Sequence, residues 1–112
     1  MPKTIILSLG GSLIVPDNVD VHFLKDFKKI IEKYVKRGFR FVIICGGGKI
    51  AREMQAAASK IAKLNDEDLD WIGIHATRLN ALLLWYIFKN DVNGPIIADP
   101  TSKINFKKNI IV

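Results

Sequence analysis

The chain has a single cysteine, Cys45, so no internal disulfide and no cysteine-based metal cluster can form. That scarcity points to a reducing compartment, and the cytoplasm is the expected location. Although the mean hydropathy is positive, no stretch approaches the roughly 18 to 20 consecutive apolar residues that a bilayer span requires. A soluble protein with no membrane partner is expected. Met1, Pro2 and Lys3 followed by Thr4 to Val15 imitate a charged-then-apolar export signal, but Gly10 and Gly11 break the run and no small-residue cleavage site follows. Internal repeats and low-complexity linkers are absent, and 112 residues leave room for one domain. Acidic residues are few, 11 Asp and Glu against 17 Lys and Arg, for a net charge of +6. Such an excess suits nucleic acid, an anionic small molecule or an unbalanced fragment. The bases are dispersed, however, as Lys25, Lys28, Lys29, Lys33, Lys36 and Arg37 in one segment and Lys107 and Lys108 in another. Without an aromatic platform among them they read as a solvated helix face, so no nucleic-acid partner is expected.

Two phosphate-binding signatures are also missing. The P-loop pattern GxxxxGK[ST] would need glycine where Ile43 stands and Ser or Thr where Ile50 stands. The dinucleotide pattern GxGxxG is absent too, which sets aside dehydrogenases. His22 and His75 lack a paired nucleophile or metal-ligand spacing, so neither is a candidate catalyst.

What is present alternates strand and helix. Thr4 to Leu9 is a short apolar, β-branched run ended by Gly10-Gly11-Ser12, the pattern of a strand buried on both faces. Residues 21–37 place Phe23, Leu24, Phe27, Ile30, Ile31, Tyr34 and Val35 at helical spacing, with Asp20 as N-cap and Gly38 as terminator. Phe39 to Cys45 repeats the strand pattern, Gly46-Gly47-Gly48 follows, and Ile50 to Leu64 is helical and Ala-rich. Two strands joined by one helix form a right-handed βαβ unit, and a parallel sheet covered on both sides is expected. Asn65 to Asp68 supplies capping oxygens and negative charge for a long helix over about 67 to 89. Its Trp71, Trp85, Tyr86 and Phe88 suit core or a subunit interface better than base stacking. Asn93-Gly94-Pro95 punctuates the chain, Ile96 to Ala98 reads as a third strand, and Asn109 to Val112 begins a fourth apolar run inside which the sequence ends. Truncation of a longer domain is the expectation.

In an open parallel sheet ligands bind beyond the carboxyl ends of the strands, where both glycine clusters fall. Glycine lets backbone N–H groups approach an anion, and a helix starting there adds the positive end of its dipole. Phosphate is the natural guest. Lys49 and Arg52 follow within the first helical turn, where a cation could close over phosphate oxygens. The same turns also occur between strand and helix with no ligand at all.

Ile5 to Ser12 with Val15-Pro16-Asp17-Asn18-Val19-Asp20, then Gly46-Gly47-Gly48-Lys49-Ile50-Ala51-Arg52, then Asp70 to Ala81 form three ordered motifs spread over most of the chain. They resemble the amino acid kinase family, and within it the archaeal-type UMP kinases, with GGGxxAR and DxxGIxxTRxNA elements. The resemblance implies an α/β, three-layer αβα fold with a mainly parallel sheet, truncated here. It implies that residues 1–112 are the N-terminal, UMP-binding half and that the ATP-binding half is absent. By the same resemblance Gly11 and Ser12 contact the transferring phosphoryl group, Gly47 contacts UMP, Gly48 and Arg52 hold ATP phosphates, and Asp70 binds the ribose of UMP. ATP with Mg²⁺ and a homo-oligomer assembled through the 67–89 helix are implied as well. For Arg78 and Asn80 the alternative to a place in the site is a structural one, tying that helix to loops or to a partner subunit; they are not counted among the site residues, and their role is open. Two departures stand out: Ser8 occupies the place of the Lys in the KxGGS form, and the GGxxPGxTTD-like loop of the family is not in the chain. Another small-molecule kinase of the family, acting on acetylglutamate, aspartate or isopentenyl phosphate, and a non-catalytic phosphate-binding or assembly module are the alternatives.

Overall fold

The computed structural model describes residues 3–92, 94, 96, 108 and 110–112. Strand β1 (Lys3–Leu9) and strand β2 (Phe39–Cys45) pair in parallel over their whole length, from Lys3 opposite Phe39 to Leu9 opposite Cys45. Strand β3 (Ile110–Ile111) lies on the other side of β2, also parallel, with Phe41 opposite Ile110. The order is therefore β1-β2-β3 with β2 central, and Val92 adds a parallel bridge to Ile110. The connections are helical: α1 (Gly11–Ile14), α2 (Val21–Lys36), α3 (Gly48–Ile61) and α4 (Asp66–Ile87).

Local chemistry accounts for the helix ends. Asp20 accepts a hydrogen bond from Phe23 N–H at 3.0 Å, satisfying a free donor in the first turn of α2. Gly38, at φ +93°, takes the left-handed conformation that turns the chain from α2 into β2. Asn65 and Asp68 form a reciprocal capping box at the start of α4, at 2.9 and 3.1 Å. The one-turn helix α1 replaces what reads in sequence as a simple glycine turn. Helix α3 begins at Gly48, not at Ile50: the Gly47 carbonyl accepts the first helical bond, from Ala51 N–H at 3.4 Å, and Gly48 itself holds a left-handed φ of +62° that brings the chain from the loop into the helix. The expected strand at Ile96 to Ala98 lies outside the described residues except for Ile96, which is not in a strand.

The core sits on one side of the sheet. Alternate strand residues face opposite sides: Leu9, Phe41 and Ile43 are buried, with Ile5 and Leu7 packed against them. Helix α2 contributes Leu24 and Ile31 to this cluster, and α4 contributes Ala81 and Leu84, continued by Phe88. Phe27 meets Phe88 edge to face at 6.0 Å, so α2 and α4 share that side. The opposite side is open, with Ile6 67% and Ile44 54% exposed. This corrects the expectation of strands buried on both faces: a continuous apolar run marks residues suited to burial but not which face this chain covers. Replacing Asp20 by Ala removes a cap and should cost about 1 kcal/mol, read as a lower urea midpoint at unchanged slope.

Candidate functional site

Because Leu9 and Cys45 are register partners, β1 and β2 end at the same level and the glycine clusters that follow leave the sheet side by side. A Cβ placed on Gly11 would overlap Gly48 N and fall 2.6 Å from Gly48 Cα and 2.7 Å from Gly46 C. A Cβ on Gly46 would sit 2.9 Å from Gly11 N. The two loops are thus in backbone contact, which only hydrogen in place of a side chain permits. Gly47 faces the other way, onto the helices: its Cβ would lie 2.7 Å from Ala51 Cβ and 3.4 Å from Thr77 Oγ1.

Helix α4 clamps the second loop. Asn80, only 2% exposed, donates from Nδ2 to Gly46 O at 2.9 Å and to Gly47 O at 3.1 Å. Two carbonyl acceptors require the amide nitrogen, not its oxygen, to face them, so the network fixes the side chain's orientation. Farther along, Gln55 Nε2 donates to Leu69 O at 2.9 Å and staples α3 to α4. Of the two residues whose part was open in sequence, Asn80 is tied to a loop, while Arg78 is exposed on α4. The signal for Asn80 was a lone amide on the apolar side of a helix, a group that must find partners when buried.

The predicted contacts of substrate separate into two groups. Gly11, Gly47 and Gly48 are brought together in the glycine cradle, with Ser12 exposed beside it. Arg52 is exposed one turn into α3, and among the described contacts it makes no ion pair. Asp70 is exposed near the start of α4, on the helical stripe of Gly73, Thr77 and Asn80, roughly 15 Å along the axis from Asn80 at 1.5 Å per residue. Lys49, read in sequence as a cation able to close over phosphate, is taken up by carboxylates instead. Its Nζ lies 2.6 Å from Asp17 Oδ1 and 3.5 Å from Glu53 Oε1. The Lys49 hydrogen bond holds the Asp17 carboxyl below its ordinary value, and the same bond raises the Lys49 ammonium. Spacing alone could not reveal this, since Asp17 comes from the segment after α1. Cys45, at the edge of the site, has its thiol pushed up to about 11 by burial, so it is neutral at physiological pH and a poor nucleophile.

Comparison with known proteins agrees with this layout. The model for the amino acid kinase family matches residues 3–108. The uridylate kinase of Thermoplasma acidophilum is 43% identical over 84 residues, covering 73% of this chain and 34% of that protein. That of Thermoplasma volcanium is 40% identical over 97 residues, covering 87% of this chain and 40% of the relative. The crystal structure of uridylate kinase from Archaeoglobus fulgidus superposes with a TM-score of 0.71 at 34% identity, over 87% of this chain and 42% of the other. The chain thus spans well under half the length of these relatives.

Gly10 and Gly11 provide an internal contrast, because a Cβ on Gly10 would meet nothing within 4 Å. Gly11→Ala should cost about 3 kcal/mol, at the upper end of overpacking penalties, since backbone and not a flexible side chain must move. Gly10→Ala should stay within about 0.5 kcal/mol of the parent. Urea unfolding of the two variants side by side checks both values.

Proposed function

The chain belongs to the amino acid kinase family, and from that premise we propose that it is the N-terminal, acceptor-binding half of a kinase that converts UMP to UDP with ATP. The observation that carries this reading is the meeting of two glycine loops beyond the carboxyl ends of parallel strands. The similarity to curated uridylate kinases, 43% and 40% identical over the aligned residues, supports the choice of acceptor.

Transfer between two phosphates needs positioning and charge neutralisation and no general base, because the acceptor oxygen is already anionic. In this reading Gly11 and Ser12 receive the transferring phosphoryl group, while Gly47 contacts UMP. Gly48 and Arg52 hold ATP phosphates, the guanidinium supplying the mobile cation that Lys49, paired with Asp17, does not. Asp70 accepts hydrogen bonds from the ribose hydroxyls. Among the described residues no three His, Cys, Asp or Glu side chains converge, so Mg²⁺ would enter on the ATP phosphates, whose charge it neutralises. The donor half lies outside the 112 residues, and the chain by itself is inactive in this proposal.

Assembly as a homo-oligomer through α4 belongs to the same proposal. Trp71, Leu79, Leu82 and Tyr86 are 41 to 62% exposed on the side of α4 turned away from the core. A helix apolar on both sides calls for a second cover. No helix of the described residues is long and apolar enough to cross a membrane, and a cytoplasmic setting completes the reading.

Calorimetric titration of the 112-residue chain with UMP, CMP and inorganic phosphate tests the proposal. Saturable UMP binding is expected, weakened at least tenfold, about 1.4 kcal/mol, by Asp70→Ala. Arg52→Ala should leave it nearly unchanged. A folded chain that binds none of the three ligands would count against the UMP assignment.

A further inference from the structure

Asn80 touches no substrate in the proposed function, yet it is a polar side chain buried in the interior, and both of its hydrogen bonds end on the second glycine loop. The peptides there are trans, and in a planar trans peptide the N–H points opposite to the carbonyl it is joined to. Gly46 O shares its peptide with Gly47 N–H, and Gly47 O shares its peptide with Gly48 N–H. Drawing both carbonyls toward α4 therefore turns both N–H groups away from it. Among the described backbone hydrogen bonds neither N–H has an acceptor, and Gly48 N lies against Gly11 of the neighbouring loop.

A run of three glycines cannot hold this orientation by itself. Glycine passes between peptide orientations more freely than any other residue, and a flipped peptide would put an oxygen where an anion is to sit. The carboxamide is suited to prevent that, because its nitrogen carries two hydrogens and serves two carbonyls at once.

We propose that Asn80 is the positioning residue of the anion site: by holding the Gly46 and Gly47 carbonyls it presents the Gly47 and Gly48 N–H groups to a phosphate. The identification of that phosphate as part of a kinase substrate rests on the function proposed above. The orientation of the two N–H groups does not.

The test uses the ¹⁵N-labelled 112-residue chain, its Asn80→Asp and Asn80→Ser variants, and inorganic phosphate and UMP as probes. An ionised carboxylate has the amide's shape but donates nothing, whereas the protonated acid donates one hydrogen. In Asn80→Asp the Gly47 and Gly48 amide signals should move, and phosphate affinity should fall at least tenfold, above the pH at which the new carboxyl ionises. Both should recover in part on acidification, relative to the parent at the same pH, because the protonated acid can hold one of the two carbonyls. A role in packing alone would lower stability without a pH-reversible effect on two particular amides. Asn80→Ser, too short to reach both carbonyls, should displace the same signals at every pH. Amide signals and phosphate affinity equal to the parent in either folded variant would overturn the proposal. If the parent binds neither probe, there is no anion site for Asn80 to position, and the proposal fails together with the UMP assignment; anion binding by the parent that the variants leave unchanged overturns the proposal alone.

Discussion

Gly11 and Gly48 approach so closely that a methyl on either would overlap the backbone of the other, and this contact exists because Leu9 and Cys45 end their strands in register. Parallel pairing brings two strand ends to one level, and glycine lets the loops that follow close on each other. The consequences spread outward from that point. Helix α3 must start at the third glycine, the segment after α1 is drawn to its first turn through Lys49 and Asp17, and α4 is held against the loop by Asn80. Such a meeting of loops offers backbone N–H groups, which suit an anion, and in the proposed function Arg52 adds a mobile cation.

Helix α4 has two separate tasks that its composition alone does not distinguish. Its inner side carries Ala76, Asn80, Ala81 and Leu84 into the interior, all less than a tenth exposed. Its outer side carries Trp71, Leu82 and Tyr86 into solvent. Asn80 is the one place where the inner side gives up apolar packing for hydrogen bonds. A buried amide is tolerated only when satisfied, and leaving its two carbonyl partners bare would cost about 1–3 kcal/mol for each unsatisfied group.

Much of this was legible from residue order. Strand β2 occupies the expected Phe39–Cys45, α2 begins after its Asp20 cap and ends before Gly38, and α4 begins at its Asn65 capping box. These features depend on neighbours in sequence. What sequence could not supply depends on partners far apart in the chain. The open sheet face of Ile6 and Ile44 looks apolar whether or not anything covers it. The engagement of Lys49 needed the position of Asp17, 32 residues away. The role of Asn80 needed the loop 33 to 34 residues before it. For the site, residue order places both glycine clusters directly after strands, for which there is a physical reason, but only the register shows that the two clusters touch.

The contact between the loops can be observed directly in solution. A through-space proton Overhauser measurement on the labelled chain, between the Gly11 α-protons and the Gly48 amide proton, reports their proximity without any ligand or activity. A strong cross-peak is the predicted result. A folded chain in which both signals are assigned and no cross-peak joins them would contradict the account, because the two glycine loops would then not form one cradle.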